Sequence, residues 1–166
     1  MLFLSCCIFV ASCEKKTKPE KEINTPTNTK VSEFVLTEIA ESNLKIVAIA
    51  QKAQESKMEN STRIVLQKIE KDHTVLKNKI RKIAKDNYII IPNTLYDTSI
   101  LKNFISEVSI NLYLQKLHNS MLAELALYKK TAASTINKDL LDLAKTAIPS
   151  IEKNIASIQE QQKSPQ

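Results

Sequence analysis

The chain has 166 residues, 24 of them basic and 18 acidic, with a formal charge of +6, no Gly, no Trp and 5% aromatics. Tight hairpin turns call on Gly for their left-handed positions, so this composition argues against a sandwich or barrel of short strands. It also removes every Gly-rich phosphate loop, dinucleotide fingerprint and nucleophile elbow. Apolar residues at 43% against 25% charged describe a globular, all-α chain large enough to bury a core without disulfides or a structural metal.

Residues 1–12, Met-Leu-Phe-Leu-Ser-Cys-Cys-Ile-Phe-Val-Ala-Ser, carry no charge and are mostly apolar. The run is too short to span a bilayer as a helix but suits the apolar region of a signal peptide. It ends in Val10-Ala11-Ser12-Cys13, which resembles a bacterial lipobox. That resemblance implies cleavage before Cys13 and a diacylglycerol group on its sulfur. No Lys or Arg precedes the apolar run, a departure from the pattern, and Glu14 rather than Asp follows the cysteine. By the sorting rule for such lipoproteins, Glu14 points to the outer membrane. Cys6, Cys7 and Cys13 are the only cysteines, so the rest of the chain has neither a disulfide framework nor a thiolate metal site. Residues 14–30 hold five lysines, Pro19 and Pro26, and one aliphatic, Ile23, a composition that predicts an extended tether. The chain thus divides into a signal at 1–12, a tether at 13–30 and a folded body at 31–163.

Four helical segments follow from apolar recurrence at three and four residues. The first runs from Val31 or Ser32 to about Ser56, capped by Ser32. Its stripe is Val35, Ile39, Ile46, Ala50 and Ala53, with Asn43 inside it. The second spans about Glu59 to Asp86 with the stripe Val65, Ile69, Leu76, Ile80 and Ile83. Tyr88-Ile89-Ile90-Ile91-Pro92 then reads as an extended crossover packed on the bundle. The third segment, Thr98 to about Thr131, carries two stripes. Leu101, Phe104, Ile105, Val108 and Leu112 form one; Leu114, Leu117, Met121, Leu125 and Tyr128 form the other, turned by roughly 200°. A break is expected between Glu107 and Leu112. The fourth runs from about Asn137 to Gln161, with Leu140, Ala144, Ala147, Ile148, Ile151, Ile155 and Ile158 on its stripe and Pro149 inside it. Pro149 is expected to bend it, since Pro lacks the donor and presses on the preceding turn.

The order of these features resembles the ferritin-like helical domain of bacterial envelope proteins known as domain of unknown function 4142. Phe34 with Ala40 and Asn43-Leu44, Asp72-His73-Thr74, Ile91-Pro92, Tyr113 through Tyr128, and Ile148-Pro149-Ser150-Ile151 carry the resemblance. It implies a ferritin-like antiparallel four-helix bundle, here with a broken third helix. The family typically holds a Glu, an Asp-His pair and two further His at four stations. By spacing this chain has Ile46, Asp72-His73, Met121 and Asn154 there, so most of any ligand set is lost.

Glu70-Lys71-Asp72-His73 fits the Glu-x-x-His of di-iron bundles literally. Yet Glu70 lies about 120° from the middle of its stripe, whereas Asp72 and His73 lie about 40° and 60° from it. The pair is therefore expected to be partly buried and to fix helix packing through hydrogen bonds. The sharper alternative is a metal-binding or redox site of Asp72 and His73, completed by His118 or Met121. The candidate polar site is thus Asp72, His73 and His118, with no metal and no cofactor called for. No nucleophile has a poised base, so no enzyme is expected. Lysine supplies 22 of the 24 basic residues in an even scatter, which argues against nucleic acid as a partner. Taken together, the sequence predicts an envelope protein of structural or binding role, held to a membrane by lipid at Cys13, with an envelope protein as its possible partner.

Overall fold

A computed structural model describes residues 29–92 and 110–163. It contains four helices: α1 (Glu33–Ala53), α2 (Asn60–Asp86), α3 (Ile110–Ser134) and α4 (Lys138–Lys163). Among the described residues there is no strand. Helix ends leave backbone donors unpaired, and local side chains supply partners. Ser32 Oγ accepts the Val35 N–H at 3.4 Å at the start of α1. Asn137 Oδ1 accepts the Leu140 N–H at 3.0 Å at the start of α4. α4 continues unbroken through Pro149.

The end of α2 shows how a chain without Gly stops a helix. Tyr88 has φ 56°, the left-handed conformation that Gly normally supplies at this position. Its N–H donates to Lys85 O at 3.2 Å and the Ile89 N–H to Ala84 O at 2.8 Å, the bond pair of a Schellman motif. The Asn87 amide adds a third bond, to Ile83 O at 2.9 Å. Beyond it Ile89 and Ile91 pack against the core while Tyr88 and Ile90 point outward, the alternation of extended chain. Ile91 and Pro92 lie beside Ala40 and Leu44 of α1 and Ile80 of α2. The connection therefore starts back along the α1–α2 groove.

The neighbour pairs are α1 with α2 and α3, and α4 with α2 and α3, so α1/α4 and α2/α3 stand on the diagonals. Each neighbouring pair runs antiparallel. Gln54 near the end of α1 meets Glu70, while Ala40 lies beside Ile80. Thr62 bonds Gln161 and Asp72 bonds Asn154 across α2 and α4. Lys129 pairs with Glu152 across α3 and α4. Val35 borders Thr131 across α1 and α3. It follows that α2 and α3 point the same way. The chain between Asp86 and Ile110 joins opposite ends of the bundle, about 38 Å apart at 1.5 Å per residue.

The core is one cluster drawn from all four helices, with Leu36, Ile46, Leu66, Ile69, Leu117 and Met121 fully buried. Truncating such a side chain to Ala costs about 2–5 kcal/mol. Leu101, Phe104, Ile105 and Val108 of the first stripe expected of the third segment, and most of the expected break, lie outside the described residues; Leu112 is described and half-buried. Within them the helix is unbroken from Ile110.

A non-Gly residue in the left-handed region costs about 1–2 kcal/mol, part of which Gly returns through its freer unfolded chain. Tyr88→Gly is expected to raise stability by about 0.5–1 kcal/mol, read as the midpoint of urea unfolding.

Candidate functional site

The one ionisable pair sealed in the interior of the described residues is His73 with Glu124. On α2 the buried positions are Thr62, Leu66, Ile69, His73, Leu76, Ile80 and Ala84, spaced by three and four. His73 thus sits in the middle of the apolar face, and its side chain is 0% exposed. Its Nδ1 lies 3.0 Å from Ile69 O one turn back. A carbonyl only accepts, so Nδ1 carries a proton. Its Nε2 lies 2.9 Å from Glu124 Oε2 on α3, and that carboxylate is also 0% exposed. The bond crosses the bundle on the α2–α3 diagonal.

One proton sits between the two groups in either arrangement, as imidazolium with carboxylate or imidazole with carboxylic acid. Burial pulls the His73 pKa down. Glu124's hydrogen bond and charge, the Ile69 carbonyl and the Asp72 charge outweigh it and hold the ring above its ordinary 6.5. On the next turn of α3, Tyr128 is fully buried. Burial first, and then the charge of Glu124, push its phenol well above 10, so it stays neutral. Glu124 Oε1, the Tyr128 hydroxyl and both amide atoms of Asn43 have no hydrogen-bond partner.

Asp72 is separated from His73 by the 100° turn between consecutive helical residues. Its side chain is 26% exposed, at the α2–α4 seam. Its Oδ2 accepts from Lys68 Nζ at 2.6 Å, Asn154 Nδ2 at 3.1 Å and Ser150 Oγ at 3.4 Å. Burial works against the charge, but the Lys68 bond, the Asn154 amide and the Ser150 hydroxyl outweigh it and lower the carboxyl below its usual 3.8. Lys68 also donates to Asn154 Oδ1 at 2.9 Å, closing a triangle. Ser150 reaches it from the residue after Pro149.

The three candidate residues from the sequence therefore divide. Asp72 and His73 are adjacent, but Asp72 serves the α2–α4 seam and His73 the α2–α3 diagonal. His118 stands apart, its Nε2 accepting from Gln159 Nε2 at 3.2 Å. Glu70 bonds Gln51 and Gln54 between α1 and α2, away from His73's face. Sequence reading passed over Glu124. It lies three residues after Met121 and four before Tyr128, so the spacing that selected those two also selects it.

At the four stations of the resembled family, Ile46, Asp72-His73, Met121 and Asn154, every side chain but that of Asp72 is buried. They do not fit a metal. Ile46 cannot coordinate. Met121 is a soft thioether, and the Asn154 amide is taken up by Lys68 and Asp72. Among the described residues no three His, Cys, Asp or Glu side chains converge as metal ligands do. No protein family, curated protein or solved structure matches the chain.

Removing one partner of a buried pair strands the other and costs about 3–5 kcal/mol. His73→Ala and Glu124→Ala are expected to lose that much in urea unfolding. Glu124→Gln, whose amide can donate to a neutral ring, is expected to lose less. The folded His73 pKa is raised, so its contribution is complete below 6.5 and is lost as pH rises through the folded value. Unfolding free energy of the wild type should decline with pH above 6.5, by at most about 1.4 kcal/mol per unit. Glu124→Gln should flatten that decline.

Proposed function

We propose that the protein is a lipid-anchored bacterial envelope protein whose ferritin-like bundle is a structural or binding module and not an enzyme. The anchor reading rests on Val10-Ala11-Ser12-Cys13 and the Lys-rich, Pro-containing segment that follows. The order up, down, down, up with one long crossover is the arrangement that ferritin-like bundles use. In double-membrane bacteria, Glu14 favours the outer membrane, with the body facing the periplasm.

One observation carries the choice of a structural module over a metal or redox centre. Both ring nitrogens of His73 end on protein atoms, Ile69 O and Glu124 Oε2. Binding a metal would break a bond in the middle of the core. The Asp72 carboxylate is likewise spent on α4 partners.

Cys13→Ala is expected to release the body from membranes, because lipid contributes about 0.8 kcal/mol per buried CH₂ and the polar tether almost nothing. Membrane fractionation with a salt wash checks this. Variant protein that stays in the washed pellet defeats the anchor assignment. Wild-type thermal unfolding is expected to be the same with chelator as with added zinc, copper or iron. A chelator-sensitive midpoint that His73→Ala abolishes defeats the structural reading.

A further inference from the structure

The exposed large apolar side chains of the described residues are not evenly spread. Of the seven, Phe34 at 71%, Tyr88 at 96%, Ile90 at 86% and Ile136 at 42% exposure belong to one end of the bundle, while Val75 and Leu122 stand singly near the middles of α2 and α3. Phe34 is in the first turn of α1, Tyr88 and Ile90 follow the last turn of α2, and Ile136 sits in the α3–α4 turn. Three observations bring these segments together. Asn137 donates to Thr29 O. Lys30 and Val35 share a groove with Thr131 and Ile136. Ile83 and Asp86 face Asp139 and Leu143. Ile64, by contrast, is exposed in the first turn of α2, at the opposite end.

This is also the end from which the chain leads back, through Thr29, to Cys13. Residues 14–28 alone lie between. At full extension they reach about 50 Å, and as a random coil about 20 Å. A lipid on Cys13 would hold this end near the bilayer at high effective concentration, so weak contacts suffice for docking. The side chains suit a headgroup layer. Tyr88 has an apolar ring and a polar tip, Phe34, Ile90 and Ile136 are apolar, and Lys30, Lys85 and Lys138 are exposed around them. Glu33 and Asp139 share the surface, and Asp86 is paired with Lys82. Interfacial binding grows with buried apolar area and with cationic attraction to anionic lipid. Among the described residues no helix is long and apolar enough to cross a membrane, so contact at this end is contact with the bilayer surface.

We propose that the end of the bundle bearing Phe34, Tyr88, Ile90 and Ile136 docks on the anionic lipid surface to which Cys13 anchors the chain. The proposal rests on the lipid anchor reading and adds an orientation to it: the bundle stands with the starts of α1 and α4 on the membrane. Tyr88 illustrates the trade. A residue that costs stability where Gly would not displays a ring to the lipid.

The chain has no Trp, so one introduced Trp is a clean reporter. Tyr88→Trp and Ile64→Trp place it at the two ends. Each full chain is reconstituted through its lipid into vesicles of phosphatidylethanolamine and phosphatidylglycerol. The expected result is a blue-shifted Tyr88→Trp emission quenched by brominated acyl chains, with Ile64→Trp emission unchanged. Adding Ile90→Ser and Ile136→Ser to Tyr88→Trp should reduce the quenching several-fold. Water-like Tyr88→Trp emission on co-floating vesicles overturns the docking and leaves the anchor standing. Equal quenching at both ends overturns the orientation. A blue shift that needs no lipid and rises with protein concentration assigns the surface to a second copy instead. Failure to co-float is failure of the anchor. Coupling Cys13 of a Cys6→Ser, Cys7→Ser chain to a maleimide lipid then restores the tether, and the same emission outcomes decide the docking.

Discussion

A carboxylate and an imidazole meet in the middle of this bundle, and the other contacts are arranged around that meeting. His73 and Glu124 come from α2 and α3, which stand on a diagonal of the bundle. Taking two ionisable groups out of water is expensive, and their attraction offsets it only in good geometry. Sliding α3 along its axis would break the bond and strand both groups in an apolar core. Aliphatic side chains tolerate small slips; a sealed proton-sharing pair does not. The pair therefore fixes the register of α3 against α2, as polar core residues do in helical assemblies.

A second layer of polar contacts works at the seams. Lys68, Asp72, Ser150 and Asn154 join α2 to α4, and Glu70 with Gln51 and Gln54 joins α1 to α2. All of these groups but the buried Asn154 are partly in water, so each bond contributes modestly. Their effect is mainly on which faces meet. Asn43, sealed without a partner for either amide atom, is a cost that the surrounding apolar packing absorbs.

The helices were legible because their signals are local. Ser32 caps as its residue type predicts, and Ile39, Ile46, Leu117 and Ile151 are buried as their spacing requires. On α2 the stripe was centred about one residue off. Val65 and Ile83 were counted in, yet both are half-buried, while Leu66 and His73 hold the centre. A β-branched residue at the edge of a face reads the same in sequence as one at its middle. Glu124 escaped because a carboxylate is judged by its charge before its position, and only a partner on another helix makes such a burial tolerable. The shared direction of α2 and α3 was implied by the ferritin-like resemblance and not by the spacing of apolar residues. It depends on where the connection ends, which no periodicity records.

That direction divides the molecule into two antiparallel hairpins, α1–α2 and α3–α4, joined through residues 87–109. Each hairpin closes locally and quickly. Joining them requires closing a longer loop, so the hairpins form before the whole. The two seams between the halves, α1 with α3 and α2 with α4, make no distinction between a hairpin of the same chain and one from a neighbour. What favours the same chain is only the effective concentration that covalent connection provides. Crowding many copies on one surface brings the neighbours' concentration toward that value, and exchange of whole hairpins between chains becomes the natural route to a dimer.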